Sequence, residues 1–204
     1  MTRIALGLKA HSGWAALVAL GAPNGSLELV DRRRIELVDE ADAYWAKQPY
    51  HAAEGLEPGE AREVVKRGIA SARKLAVREL REAVKRAQRE QHEIASCAVL
   101  VNDPMPDWSV AEILAVHFRM HKAEGVLFRD ALARAAETCG LPLVAIREKD
   151  LALHAERALG TPGGQLSKTL AELGKSAGAP WGADQKQAAL AAWVGLQGRA
   201  NGRR

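Results

Sequence analysis

A mixed α/β sheet with helices on both faces is the fold class this sequence predicts, and three observations carry it. Three short apolar or alternating runs separated by tight turns fill residues 3–38. A long stretch rich in Ala, Glu, Arg and Lys, without proline, runs from Gly59 to His92. Two further apolar runs, 94–102 and 141–146, then alternate with helical segments. A meander followed by alternating strands and helices gives five strands in one mixed sheet, in the element order β-β-β-α-β-α-β-α.

Taken in order, residues 3–10 and 13–20 are apolar runs joined by His11-Ser12 and read as a β-hairpin. Asn24-Gly25 is the strongest cue in the next turn. Leu27, Leu29, Ile35 and Leu37 alternate through a third strand over 26–38. Residues 39–58 form a connector with one helical turn around 43–46. A loop of that length inside a compact domain is often functional. Tyr50-His51 therefore enters as a candidate lining, beside the plain reading of exposed loop residues.

Helix propensity makes 59–92 a single helix. Val65, Ile69, Ala72, Ala76, Leu80 and Ala83 supply its buried face. Arg67, Lys74, Arg78, Arg81, Lys85 and Arg89 recur at helical spacing opposite. Ten Lys and Arg face five Glu in this stretch, so it carries a positive excess as large as the whole chain's +4. Such a stripe either tracks phosphates or is an ordinary solvated face.

Residues 94–102 are a buried strand by length and β-branched content. Ser109 is a good N-cap, and Glu112 completes a capping box. The helix it opens runs to Cys139 and is stopped by Gly140. A fifth strand over 141–146, a helix to Leu159, a break at Thr161–Gly164, a short helix over 166–173 and a loop over 174–182 follow. The last helix spans 183–197. One domain over 1–198 with a frayed tail at 199–204 completes the expected organisation.

The helix from Ser109 carries an oddity. Val110, Ile113, Leu114, Phe128, Ala131, Leu132 and Ala135 form an apolar stripe, and His117, His121 and Glu124 fall at its centre. Ionisable groups there are costly unless they pair, bind a metal or line a cleft. The His117-x3-His121-x2-Glu124 spacing places two imidazoles and a carboxylate on one face, three ligands for a zinc- or iron-type site. The distant ligand and catalytic Glu of the H-E-x-x-H enzymes are absent. A metal-free ligand-binding cluster and mutual satisfaction by neighbouring groups are the other readings.

Composition bounds the function. At 204 residues, 48% hydrophobic and 26% charged, the chain suits one globular domain. No apolar run approaches the roughly 18–20 residues of a membrane span, and the N-terminus lacks a secretory apolar core. The expectation is a cytoplasmic protein with no membrane partner. Cys97 and Cys139 then read as structural thiols. The mildly basic balance permits a nucleic-acid partner. No motif specifies a cofactor.

The element order, together with Leu6-Gly7-Leu8-Lys9 and Gly13 in the first hairpin, resembles the ribonuclease H-like superfamily. Its Holliday-junction resolvases of the RuvC type are the branch suggested. The Ala-rich stretch Ala123–Ala136 before Leu141-Pro142-Leu143-Val144, and Asp184-Gln-Lys-Gln at the last helix, resemble the same family. That resemblance implies an Asp on the first strand bridging two divalent cations, a further carboxylate after the fourth strand and another opening the last helix. Here Lys9 stands at the first position, Asp103 loosely at the second and Asp184 at the third. A cation does not ligate Mg²⁺, so the resemblance implies a nucleic-acid-associated module without the standard two-metal nuclease site. Lys9, Glu124 and Asp184, with His11 and His51, are the residues expected to share a cleft, and Lys9 is expected to pair with Asp184.

Overall fold

A computed structural model describes residues 1–197. Its five strands form one sheet in the order β3-β2-β1-β4-β5. β1 (Thr2–His11) pairs antiparallel with β2 (Trp14–Gly21), and β2 antiparallel with β3 (Glu28–Glu36). β4 (His92–Val101) lies parallel to β1, and β5 (Leu143–Arg147) parallel to β4. Only β2 runs against the rest, and the opening hairpin occupies the middle of the sheet.

Between β3 and β4 the chain forms α1 (Ala43–Ala46), α2 (Pro49–Ala52) and the long α3 (Pro58–Arg89). Between β4 and β5 come α4 (Val110–Leu114) and α5 (His117–Thr138). α6 (Leu151–Leu159), α7 (Gly163–Ala177) and α8 (Ala183–Gln197) follow β5. Among the described residues, no helix is long and apolar enough to cross a membrane. The expected tail at 199–204 lies outside the described residues.

A central strand covered on both faces reads as a continuous apolar run, and every residue from Ile4 to Ala10 is buried. Period-2 alternation divides them. Ile4, Leu6 and Leu8 join Leu17, Cys97 and Val99 beneath α3 and α5. On the other face, Ala16, Val18 and Leu20 meet α7 and α8, while Ala98, Leu100 and Ile146 meet α6, α7 and α8. Burial pushes the Cys97 thiol up to about 12, which suits an inert structural thiol.

Two expectations need correction. The connector after β3 contains two short helices, because Pro49 opens a turn the sequence pattern did not signal. The helix expected from Ser109 to Cys139 is two helices, broken at Val116, whose backbone is extended (φ −139, ψ 112). The Ser109–Glu112 capping box is present. A continuous helix would carry His117 and His121 along the buried stripe. The break re-phases α5, so both are exposed while Met120, Ala123 and Leu127 turn inward.

α8 lies on β1 with almost nothing between them. A Cβ built on Gly7 would overlap the carbonyl oxygen of Ala188 and lie 2.7 Å from the amide nitrogen of Ala192. At Gly195 a Cβ would meet Ser96 Oγ at 2.5 Å. Gly7→Ala must therefore push backbone away from backbone. We expect a loss at or above the upper end of the roughly 1–3 kcal/mol typical of overpacking, read as a lowered urea midpoint. An unchanged midpoint would refute this close approach.

Candidate functional site

The parallel strands β1, β4 and β5 end at one edge of the sheet. Open α/β sheets bind ligands in that position. The edge carries Lys9 and His11 from β1, Asn102 and Asp103 after β4, and Arg147 and Glu148 at the end of β5. Each enters by register alone: Leu8 pairs with Val99, and Val101 pairs with Arg147.

Lys9 is 6% exposed and forms an ion pair with Glu148 Oε1. The other Glu148 oxygen accepts from Arg129 Nη2 of α5 at 2.9 Å. Burial alone would raise the Glu148 carboxyl, but the hydrogen bonds and charges of Lys9 and Arg129 outweigh it and hold it below the usual carboxylate range. The expected partner, Asp184, is bound instead by His11 Nε2 at 2.8 Å. The His11 ring stacks on Trp14 (centroids 4.4 Å, 10° between planes), and the Arg34 guanidinium lies 4.2 Å from the Trp14 centroid. Asp103 is paired outward, to Lys149 at 2.6 Å and Arg147 at 3.5 Å. One carboxylate already held by two cations does not fit a divalent-cation site around Lys9. Nor is Lys9 presented to solvent, where a phosphate would need it.

Glu124 has partners of its own. Gly68 of α3 has no side chain, and Pro49 packs there so closely that a Cβ would lie 2.6 Å from Pro49 Cβ. This seats α2 against α3 and turns His51 toward α5. Glu124, 7% exposed, accepts from the His51 amide at 3.1 Å, from His51 Nδ1 at 2.8 Å and from Gln48 Nε2 at 3.4 Å. The expected ion pair of Lys9 with Asp184 is therefore not formed. Among the described residues no ion pair or hydrogen bond joins any two of Lys9, Glu124 and Asp184, because each carboxylate takes a different cation or imidazole.

His117 and His121 sit one turn apart at the start of α5, with their Nε2 atoms 3.0 Å apart. Ring centroids lie 5.3 Å from His51 to His117 and 4.8 Å from His51 to His121. Among the described residues, these three histidines are the one group of His, Cys, Asp or Glu side chains near enough to share an ion, with ligand atoms within 4.8 Å of one another. Glu124, expected as the third member beside His117 and His121, stands behind His51. A cleft of about 250 Å³ links this corner to the sheet edge, between His121 and Lys122 on one side and Asn102, Asp103, Arg147 and Lys149 on the other.

The six cations of α3 are exposed along one face, as their spacing predicts. Arg78 pairs with Glu79 and Lys85 with Glu82, and Arg67 lies 4.4 Å from the Trp45 centroid. Lys74, Arg81 and Arg89 have no carboxylate within 4.0 Å among the described residues. Glu148 and Arg129 were not singled out by sequence. The usable signal was Glu148's place one residue beyond a parallel strand, at the sheet edge that also carries Lys9.

Lys9→Met removes one partner of a half-buried carboxylate that Arg129 still neutralises. We expect a loss of about 1–3 kcal/mol, below the roughly 3–5 kcal/mol for breaking a fully buried pair. Because the folded Glu148 value is depressed, its contribution is present above its ordinary value of 4.5 and is lost as pH falls through the folded value. Urea midpoints at about pH 7 and about pH 3.5 should therefore lie closer together in Lys9→Met than in the native chain. Equal pH dependence in both would contradict the assigned pairing.

No protein-family model matches the chain, and no curated protein matches it. Among solved structures it is similar to Thermus thermophilus RuvC in complex with Holliday junction substrate, at 11% identity and TM-score 0.48, over 94% of this chain and 91% of that one. A second Thermus thermophilus RuvC structure aligns at 12% identity and TM-score 0.49, over 94% and 92%. The chain's own strands form a mixed five-stranded sheet in the order β3-β2-β1-β4-β5, with β2 alone antiparallel to the rest.

Proposed function

We propose that this is a nucleic-acid-associated protein on a ribonuclease H-like scaffold, acting without the two-metal nuclease centre, in the cytoplasm. The observation that carries the reading is the row of six exposed cations, Arg67, Lys74, Arg78, Arg81, Lys85 and Arg89, on α3. At 100° per residue they fall within an arc of about 80°, and at 1.5 Å per residue they extend over about 33 Å. That length matches about ten phosphates along one duplex strand. Among the described residues four of the six, Arg67, Lys74, Arg81 and Arg89, have no carboxylate within 4.0 Å, so at those four counterion release on binding is not opposed by breaking an ion pair.

An aromatic contribution supports the same face. No aromatic residue interleaves the stripe in sequence, yet α1 brings Tyr44 and Trp45 alongside Arg67 and Lys74, lining one groove with Asp39 and Asp42. Tyr44 is 88% exposed. An exposed ring beside cations is the pairing by which proteins stack and hold an unpaired base. Lys9 has a structural part in this reading: with Arg129 it neutralises Glu148 at the strand ends, where the resembled family places carboxylates for metal.

Binding of labelled single-stranded, duplex and four-way-junction DNA, followed by anisotropy at rising salt, tests the reading. Log affinity should fall steeply and linearly with log salt. Combining Lys74→Ala, Arg81→Ala and Arg89→Ala should reduce the slope by about 2–3, at about 0.9 per duplex phosphate contact. Tyr44→Ala should weaken single-strand binding by about 1–3 kcal/mol and leave duplex binding unchanged. Absence of binding to all three probes at low salt would dismiss the proposal.

A further inference from the structure

We propose that His51, His117 and His121 hold one divalent transition-metal ion of the zinc class, with Glu124 as the carboxylate that orients His51. The inference does not depend on the nucleic-acid reading. Three features carry it: the geometry of the ligand atoms, the tautomer imposed on His51 and the nature of the donor set.

Zinc–nitrogen distances of about 2.0–2.1 Å in a tetrahedron place ligand nitrogens about 3.3 Å apart. His117 and His121 Nε2 are 3.0 Å apart, and all three ligand atoms lie within 4.8 Å. Rotation of the exposed His117 and His121 rings covers the remainder. The i, i+4 spacing on one helix is what sets that pair, and the packing of Pro49 onto Gly68 is what delivers the third ring from a segment distant in sequence.

A carboxylate only accepts hydrogen bonds, so the 2.8 Å contact with Glu124 Oε2 assigns the proton of neutral His51 to Nδ1. Nε2 then keeps its lone pair for the cluster. Carboxylate-bound imidazole is the arrangement that fixes ring orientation and raises basicity at histidine-ligated metals. Glu124 is itself held by the His51 amide and Gln48, so this support is built whether or not an ion is present. The nearby cations do not compete: Arg119 and Lys122 lie over Trp108, 4.7 and 5.7 Å from its centroid.

Three imidazoles and no first-contact oxygen select zinc-class ions over Mg²⁺ or Ca²⁺, which take oxygen donors. His117 and His121 are exposed, so the fourth coordination position faces solvent, as in open rather than closed zinc sites.

The test uses full-length protein prepared without a polyhistidine tag and stripped with chelator. Titration with Zn²⁺ by calorimetry should give one ion per chain, Mg²⁺ should give no heat of binding, and Co²⁺ should produce the visible spectrum of tetrahedral nitrogen coordination. His121→Ala, an exposed substitution that leaves the metal-free thermal midpoint unchanged, should abolish the one-to-one site. Glu124→Gln should retain the stoichiometry and weaken affinity by about 10–100-fold. No stoichiometric Zn²⁺ binding, or binding that survives both His117→Ala and His121→Ala, would overturn the assignment.

Discussion

The backbone of α8 rests directly on the backbone of β1, and the placement of everything at the sheet's carboxyl edge follows from that contact. Gly7 opposite the backbone of Ala188 and Ala192 leaves no side chain between them, and Gly195 meets only the Ser96 hydroxyl and the methyls of Ala5 and Ala98. Where a helix packs through side chains, its height above a sheet is adjustable by rotamer. At Gly7 the neighbours are main-chain atoms, and nothing there can rearrange to absorb a shift. The first turn of α8 is thereby held over the end of β1, where Asp184 meets His11. Small residues also explain why α8 is buried on several sides, between the clusters beneath α7 and α6.

Electrostatics at this edge are settled locally. Lys9 is a buried ammonium, costly to desolvate, and it is retained beside a carboxylate that a second cation also engages. Glu148 thus has charge on both oxygens, and Arg129 ties it back to α5, where its Nη1 also donates to the Gly125 carbonyl at 2.7 Å. Asn102 donates to the same carbonyl at 3.0 Å. The strand ends and α5 are joined by this small polar network, which also sets where the first turns of α5 stand relative to the sheet.

The break at Val116 resolves the conflict that the sequence exposes. Two imidazoles on a buried stripe would have to be desolvated, whereas two on a re-phased helix start remain in contact with water and with each other. Glu124, one turn further on, stays buried because His51 and Gln48 reach it. A polar group deep in a helix–helix interface is tolerated when its acceptors are filled, and α2 exists in the position that fills them.

Strand alternation, the apolar face of α3, the capping box at Ser109 and the cation spacing opposite that face were all determined by sequence alone, because each depends on the period of one local element. The mixed sheet was also legible, since short connections and crossover handedness leave few arrangements. Lys9 and Asp184 were visible as charges at two element ends, and His117 and His121 as an i, i+4 pair. Only the tertiary structure decided the partners: Glu148 for Lys9, His11 for Asp184, and His51 for Glu124. Those choices turn on strand register, on the re-phasing of α5 at one extended residue, and on how closely Pro49 approaches Gly68. Each is a distance between segments far apart in the chain, and no periodicity within a segment encodes it.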